Sequence, residues 1–285
     1  MKISLLVTTY NWKEALARCL ESAFGQTRPP DEIVVADNGS REDTAETVRH
    51  YAEISPVPLR HVWQPDEGFR LAASRNRGIA ASSGDYIVMV DGDVLLERHF
   101  CEDHARFAAQ GRWIQGSRVL IGPERTKAIL AGCGRRLGPF SRGIHNRKNA
   151  VRSRLLAMLV RGAQGPLRGV RGCNMAFWRD DAVRVNGFNE AFTDWGREDS
   201  EFVVRLAHAG VTRRNLKHQA LVFHLYHPEN SRKSLPRNDL LLQDAIDSKM
   251  VRCEKGLTDS HCPDNCSVAP ATAVQRPSQH PTQKD

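Results

Sequence analysis

Residues 84–93 read GDYIVMVDGD. Tyr86–Val90 is an unbroken apolar run of strand length, opened by Gly84-Asp85 and closed by Asp91-Gly92-Asp93. A strand with one wet face alternates polar and apolar residues. An unbroken run predicts burial on both faces, the environment of a parallel sheet covered by helices. Two carboxylates one residue apart at the end of such a strand can meet one hard cation, or split between a metal and a ribose. Gly92 between them lets a backbone approach a diphosphate. A plain polar turn explains the same three residues, so their context decides.

That context lies upstream. Ile3–Val7 (ISLLV), Glu32–Ala36 (EIVVA) and Leu59–Trp63 predict three more short strands. Lys13–Phe24 carries Ala15, Leu16, Cys19, Leu20 and Ala23 at helical spacing. A second helix is expected from Arg41 to about Glu53 with Ser40 as its N-cap, and a third over Leu71–Ala81. The alternation predicts an α/β fold with a Rossmann-like, mostly parallel sheet flanked by helices. Ligands of such sheets bind beyond the carboxyl ends of the strands. Thr8-Thr9-Tyr10-Asn11, Asp37-Asn38-Gly39-Ser40 and Asp91-Gly92-Asp93 stand there. Asp37 suits a base or ribose contact, or equally an Asx turn.

Pattern weakens from Gly116 to Arg171, where Arg152–Val160 is the one clear apolar helix candidate. Cys173–Trp178 restores order, Glu198–Ala209 predicts a helix, and Ala220–Leu225 a short strand. Glu198, Asp199 and Glu201 fall in the first helical turn, where acidic residues complement the helix dipole at about 0.3–1 kcal/mol each. Trp195-Gly196 just before them offers an aromatic face for a sugar ring and a flexible joint beside a candidate base. His224 and His227 flank Leu225-Tyr226 and could complete a metal site; a buried structural histidine is the alternative.

Composition narrows the classes. The chain has 285 residues, 40% of them hydrophobic, and no apolar run near the ~18–20 residues of a membrane span. Met1–Asn11 lacks the apolar stretch and cleavage site of a signal peptide, so a cytoplasmic location is expected. Seven cysteines at irregular spacing do not read as a disulfide framework, and His261, Cys262 and Cys266 lack the usual spacing of a zinc site. Between Glu124 and Asp180 stand thirteen Lys or Arg and no acid, so a chain of net +8 carries −5 elsewhere. One basic segment on an acidic body indicates a localised docking surface, and without interleaved aromatics it does not suit nucleic acid. Arg152, Arg154 and Arg161 bracket Leu155, Leu156, Met158, Leu159 and Val160 in the pattern of an interfacial helix. Peripheral contact with the inner face of the cytoplasmic membrane through 125–179 is therefore one expectation. Packing of these leucines on the body, or binding of an anionic acceptor, are the others. Beyond residue 255 the chain turns to Pro, Ser, Thr and Gln, and a disordered tail is expected.

Together, Ser4–Asn11 (SLLVTTYN), Glu32–Ser40 (EIVVADNGS), Ser74–Gly78 (SRNRG) and Gly84–Asp93 resemble the family 2 glycosyltransferases of the GT-A fold. Residues 171–210 are similar to the C-terminal catalytic segment of galactosyltransferases and chondroitin-polymerase-type enzymes. The resemblance implies a nucleotide-sugar-binding half over 1–115, a basic, partly helical insert over 116–170, an acceptor-binding and catalytic half over 171–255, and the tail over 256–285. It implies that Thr8, Tyr10, Asp37, Arg75, Asp91 and Gly92 bind the nucleotide sugar, with Asp37 at the uracil. Asp93, Asp91 and His224 or His227 would hold Mn²⁺ or Mg²⁺. Asp199 matches the general base and Glu198 a sugar contact, with Trp195, Gly196 and Arg197 at the acceptor. The related pattern has Gly-Gly where this chain has Gly196-Arg197, which leaves the sugar open.

The function implied is inverting transfer from a nucleotide-diphosphate sugar, UDP-linked in the first instance, to a glycan or lipid-linked acceptor of a bacterial surface polysaccharide or lipopolysaccharide. A nucleotidyltransferase would show a Gly-rich basic phosphate loop near the first strand, and Thr8–Trp12 has none. A noncatalytic carbohydrate-binding protein would tolerate loss of Asp93 or Asp199, and both are present.

Overall fold

The computed structural model describes residues 1–134, 137–159, 167–228, 231–258 and 267–268. The first half runs β1 (Ile3–Thr9), α1 (Lys13–Phe24), β2 (Glu32–Asp37), α2 (Glu42–Ile54), β3 (Leu59–Trp63), α3 (Leu71–Ala81), β4 (Tyr86–Asp91), β5 (Val94–Leu96) and α4 (Phe100–Phe107). Next come β6 (Arg112–Gln115), β7 (Ser117–Ile121), α5 (Pro123–Leu130), β8 (Ile144–His145) and α6 (Arg154–Leu159). The rest is β9 (Asn174–Trp178), α7 (Arg179–Arg184), α8 (Glu198–His208), β10 (Thr212–Asn215), β11 (Leu221–His224), α9 (Leu235–Asp247) and β12 (Ser267–Val268).

The main sheet has the order β10-β6-β9-β4-β1-β2-β3-β12. β4, β1, β2 and β3 are parallel; β9 runs antiparallel to both β4 and β6. Successive residues of a strand point to opposite faces. Leu5, Val7, Ile33, Val35, Val88 and Val90 pack with α1 on one face; Leu6, Val34, Ala36, Ile87 and Met89 pack with α3, α7 and α8 on the other. The apolar runs are unbroken because both faces are covered.

A second sheet, β5-β11-β7-β8, sits beside the carboxyl ends of the main one. Its core joins Leu95, Val119, Ile121, Ile129, Ile144, Phe223 and Leu225. Ser117–Ile121 and Ile144–His145, which fall within the expected basic insert, are strands of this sheet, and Val119 and Ile121 are buried. Arg152, expected as a cationic flank, is instead a bolt: it reaches Asp103 at 2.7 and 3.1 Å and Glu97 at 3.5 Å.

Two smaller expectations also shift. Arg41 precedes α2 without a side-chain cap, and the Ser40 hydroxyl accepts the Asn11 amide instead. The expected tail starts too early: Gly256 is buried, Leu257 packs on the core, and Thr258 bonds the Asn186 side chain. His261, Cys262 and Cys266 lie outside the described residues.

Candidate active site

The strand register sets the site. Thr8 at the end of β1 pairs with Asp91 at the end of β4, and its hydroxyl bonds the Asp91 carboxylate at 3.0 Å. The Gly92 amide donates to Thr8 O at 2.7 Å, and a Cβ on Gly92 would lie 2.9 Å from that oxygen, so glycine is required by the neighbouring strand.

Asp93 follows, with a half-buried side chain. His224 Nε2 lies 3.5 Å from its Oδ1 and His227 Nε2 3.3 Å from its Oδ2. The two imidazoles are oriented alike. His224 Nδ1 bonds the Leu225 carbonyl at 2.9 Å and His227 Nδ1 the Pro228 carbonyl at 2.7 Å. A ring whose Nδ1–H donates to a carbonyl offers its Nε2 lone pair outward, the second-sphere arrangement of metal-binding histidines. Asp93 Oδ1 is buried with no hydrogen-bond partner among the described residues. Burial pushes the Asp93 carboxyl up, against the pull of His224. An oxygen and two imidazole nitrogens, mutually within 4.8 Å, fit a divalent cation.

Arg75 from α3 is 2% exposed and crosses beneath the site. It bonds Glu198 at 3.0 Å and approaches Asp91 at 3.5 Å, with its guanidinium carbon 5.1 Å from the centre of the Phe188 ring. Burial opposes its charge, but Glu198, Asp91 and Asp199 outweigh burial and raise its pKa. A Cβ on Gly172 would lie 2.3 Å from Arg75 Nη2, so glycine opens the path the guanidinium takes. Arg75 thus joins the β4 end to the start of α8.

Asp199 is half-buried, and two backbone amides fix its carboxylate: Gly172 N at 3.0 Å and Ser200 N at 2.7 Å. Glu198 is buried, and its Oε2 has no hydrogen-bond partner among the described residues. Burial, with the Asp199 charge beside it, pushes the Glu198 carboxyl up to about 7. One carboxylate is therefore pinned and half-open while its neighbour is sealed.

The loop before α8 is pinned by α9. Asn238 donates to Gly196 O at 2.9 Å, and the Arg197 side chain bonds Asp239 at 2.6 Å. Arg197 sits at φ 76°, the left-handed region, where the related pattern has glycine. Trp195 is partly exposed, with Arg232 over its ring at 5.9 Å. Tyr10 is exposed and bonds Asp66 at 3.1 Å. Asp37, expected at the uracil, is 0% exposed. One of its oxygens accepts the Ser40 amide at 2.8 Å and the other meets His61 at 3.0 Å. The Ser40 bond closes the turn after β2.

The family model for glycosyl transferase family 2 matches residues 4–168. The chain belongs to glycosyl transferase family 2. A second model, described as the N-terminal domain of galactosyltransferase, matches residues 155–228. Chondroitin synthase of Escherichia coli is 27% identical over 249 residues, which are 78% of this chain and 34% of that protein. The chain thus spans about a third of that relative's length. Among solved structures, S. aureus TarS superposes with TM-score 0.61 at 16% identity, over 91% of this chain and 41% of that one. A mannosyltransferase from Pyrobaculum calidifontis, solved with GDP-Man and Mn²⁺, gives 0.56 at 19% identity, over 90% and 65%. These likenesses show the GT-A fold.

Cys173, Arg118 and Asp66 lie in or beside this family 2 site and were not singled out in the sequence. Cys173 is next to Asp91 and His224, and Arg118 approaches its sulfur at 3.9 Å. The available signal was strand direction. β9 pairs Asn174 with Val90 in antiparallel register, so its first residues reach the edge where β4 ends. A search of carboxyl ends alone passes them by.

Proposed function

We propose that the chain is a metal-dependent, inverting glycosyltransferase. It moves a sugar from a nucleotide-diphosphate sugar, UDP-linked in the first instance, to a glycan or lipid-linked acceptor of a bacterial surface polysaccharide or lipopolysaccharide. The observation that carries this reading is the convergence of two groups at one sheet edge: Asp91 and Asp93 with His224 and His227, and Asp199 with Glu198, with Arg75 bridging Asp91 and Glu198.

In the proposed reaction the acceptor hydroxyl oxygen attacks the anomeric carbon as the bond from that carbon to the diphosphate breaks. Asp199 takes the hydroxyl proton, and the nucleoside diphosphate leaves. One displacement inverts the anomeric centre, and a single fixed carboxylate suffices as general base. The Gly172 and Ser200 amides hold that carboxylate in place. Asp93, His224 and His227 would hold Mn²⁺ or Mg²⁺, with Asp91 at the metal or ribose; the bound ion would stabilise charge on the departing diphosphate. Thr8, Tyr10 and Gly92 line the donor side, and Trp195 offers an aromatic face to the acceptor.

A panel of nucleotide sugars tests this reading, with thermal stabilisation and metal-dependent release of nucleoside diphosphate as readouts. UDP-sugars with Mn²⁺ should stabilise the protein and turn over. Asp93→Ala should lower turnover about 10³-fold, since metal stabilisation of a leaving group is worth several kcal/mol. Full activity of that variant in chelator would contradict the metal role.

Membrane contact is a second part of the proposal. Phe140 is 93% and Leu155 70% exposed, on the basic segment. No helix among the described residues is long and apolar enough to cross a membrane. The reading requires co-sedimentation with anionic but not neutral vesicles, weakened by salt and by Leu155→Glu. Protein that stays in the supernatant at low salt rules it out.

A further inference from the structure

The proposed catalytic ion leaves one potential ligand beside it unused. Cys173 Sγ, an Asp91 carboxylate oxygen and a His224 ring nitrogen lie within 4.8 Å of one another. Cys173 and His224 are buried, and His224 also belongs to the Asp93–His227 group. Tetrahedral zinc with sulfur, nitrogen and oxygen ligands separates them by about 3.6 Å, so a modest contraction closes the triad.

Arg118 is an independent observation at the same place. Its Nη1 points at Cys173 Sγ from 3.9 Å, and no acidic partner for its guanidinium is found among the described residues. Burial and the Asp91 carboxylate push the Cys173 thiol up to about 12 against the pull of Arg118, so the proton leaves only when a bound cation takes its place, as a coordinating thiol does. Hard ions prefer oxygen and leave a thiol alone, whereas Zn²⁺ and Cd²⁺ favour thiolate with imidazole.

We propose that Asp91, Cys173 and His224 form a thiolate-containing site for a thiophilic divalent cation, and that an ion held there excludes the catalytic ion by taking His224. Binding displaces the Cys173 thiol proton to solvent; nothing is oxidised or reduced. Ligation by Cys173 stands independently of the transferase reading, whereas inhibition of turnover rests on it.

Co²⁺ is the probe, because a thiolate ligand gives it a near-ultraviolet charge-transfer band that oxygen and nitrogen ligands do not. Titration of the intact protein should produce that band, Zn²⁺ should abolish it, and Cys173→Ser should lack it while folding normally. Zn²⁺ affinity should fall about 10–100-fold or more in that variant. Mn²⁺-supported turnover of the wild type should be inhibited by Zn²⁺, with a midpoint that moves in the same proportion. A wild-type spectrum without charge transfer at saturating Co²⁺ overturns the site, with no variant needed. A band that persists in Cys173→Ser overturns it too, since another cysteine is then the ligand. A Cys173-dependent band in a protein that transfers no sugar supports the site and defeats the transferase reading.

Discussion

Strands β1, β2 and β4 bury Ile3, Leu5, Leu6, Val7, Ile33, Val34, Val35, Ile87, Val88, Met89 and Val90 completely. The segment from Arg171 to Cys253 buries Phe177, Phe188, Phe202 and Leu206 as well, but adds charged and amide side chains to them: Arg205, Glu201, Glu198, Asn174, Asn186 and Asn238. Arg205 makes two 2.7 Å bonds to Glu201, one of 2.7 Å to Gly187 O and another to Val185 O, and neither charged side chain is exposed. Asn174 donates to Ser117 O and Ala220 O and so ties the two sheets together. The first region is held by area removed from water, which is non-directional. The second depends in addition on paired polar groups such as Arg205 with Glu201 and Asn174 with two backbone carbonyls, each of which becomes a liability when its partner leaves.

The sharpest test of that contrast is Arg205→Met. It strands a buried Glu201 and should cost about 3–5 kcal/mol in urea unfolding, while Arg205→Met with Glu201→Leu should recover most of the loss. The matching change in the other region, Leu6→Met, keeps volume and should cost less than about 1.5 kcal/mol. Equal losses from the two single variants would erase the distinction.

Glu198 sharpens it through pH. Its folded carboxyl is pushed up from an ordinary 4.5 to about 7, so the native state binds more protons between those values. Its contribution to stability is therefore present below about pH 4.5 and lost as pH rises towards 7. Glu198→Gln should flatten the stability profile across that window. An unchanged slope would mean that Arg75 keeps Glu198 ionised throughout.

Arg197→Gly is the smallest effect. Glycine relieves a left-handed backbone worth about 1–2 kcal/mol but adds about 0.5–1 kcal/mol of chain entropy and removes an exposed ion pair worth about 0–1 kcal/mol. The net change in unfolding free energy should stay below about 1 kcal/mol. A larger loss would show that the Arg197–Asp239 pair does more to hold the loop before α8.

The same contrast decides what the sequence reveals. Unbroken runs such as ISLLV and YIVMV signal two-sided burial directly, and the strand ends then point to Thr8, Asp91 and Asp93. The helix at Glu198 and the strand at Leu221 were also legible, as was the candidacy of His224 and His227. Ser117–Ile121 was missed because Arg118 and Ser117 interrupt its short apolar pattern. Arg152 reads as a surface cation because its partner, Asp103, is 49 residues away in the chain. Asp37 reads equally as a ligand and as a turn, because an Asx turn and a base contact call for the same carboxylate. Arg75 shows its charge in sequence, but its burial depends on Gly172, nearly a hundred residues on.

The proposed mechanism makes Asp199 the base at a site which binds its donor by other groups. The direct measurement pairs UDP–Mn²⁺ binding by titration calorimetry with the transfer rate of Asp199→Asn, once the panel has supplied a donor and an acceptor. Near-native UDP affinity with transfer lowered about 10²–10⁴-fold is the predicted result. Transfer that survives in Asp199→Asn but is lost in Glu198→Gln would contradict it and move the base to Glu198.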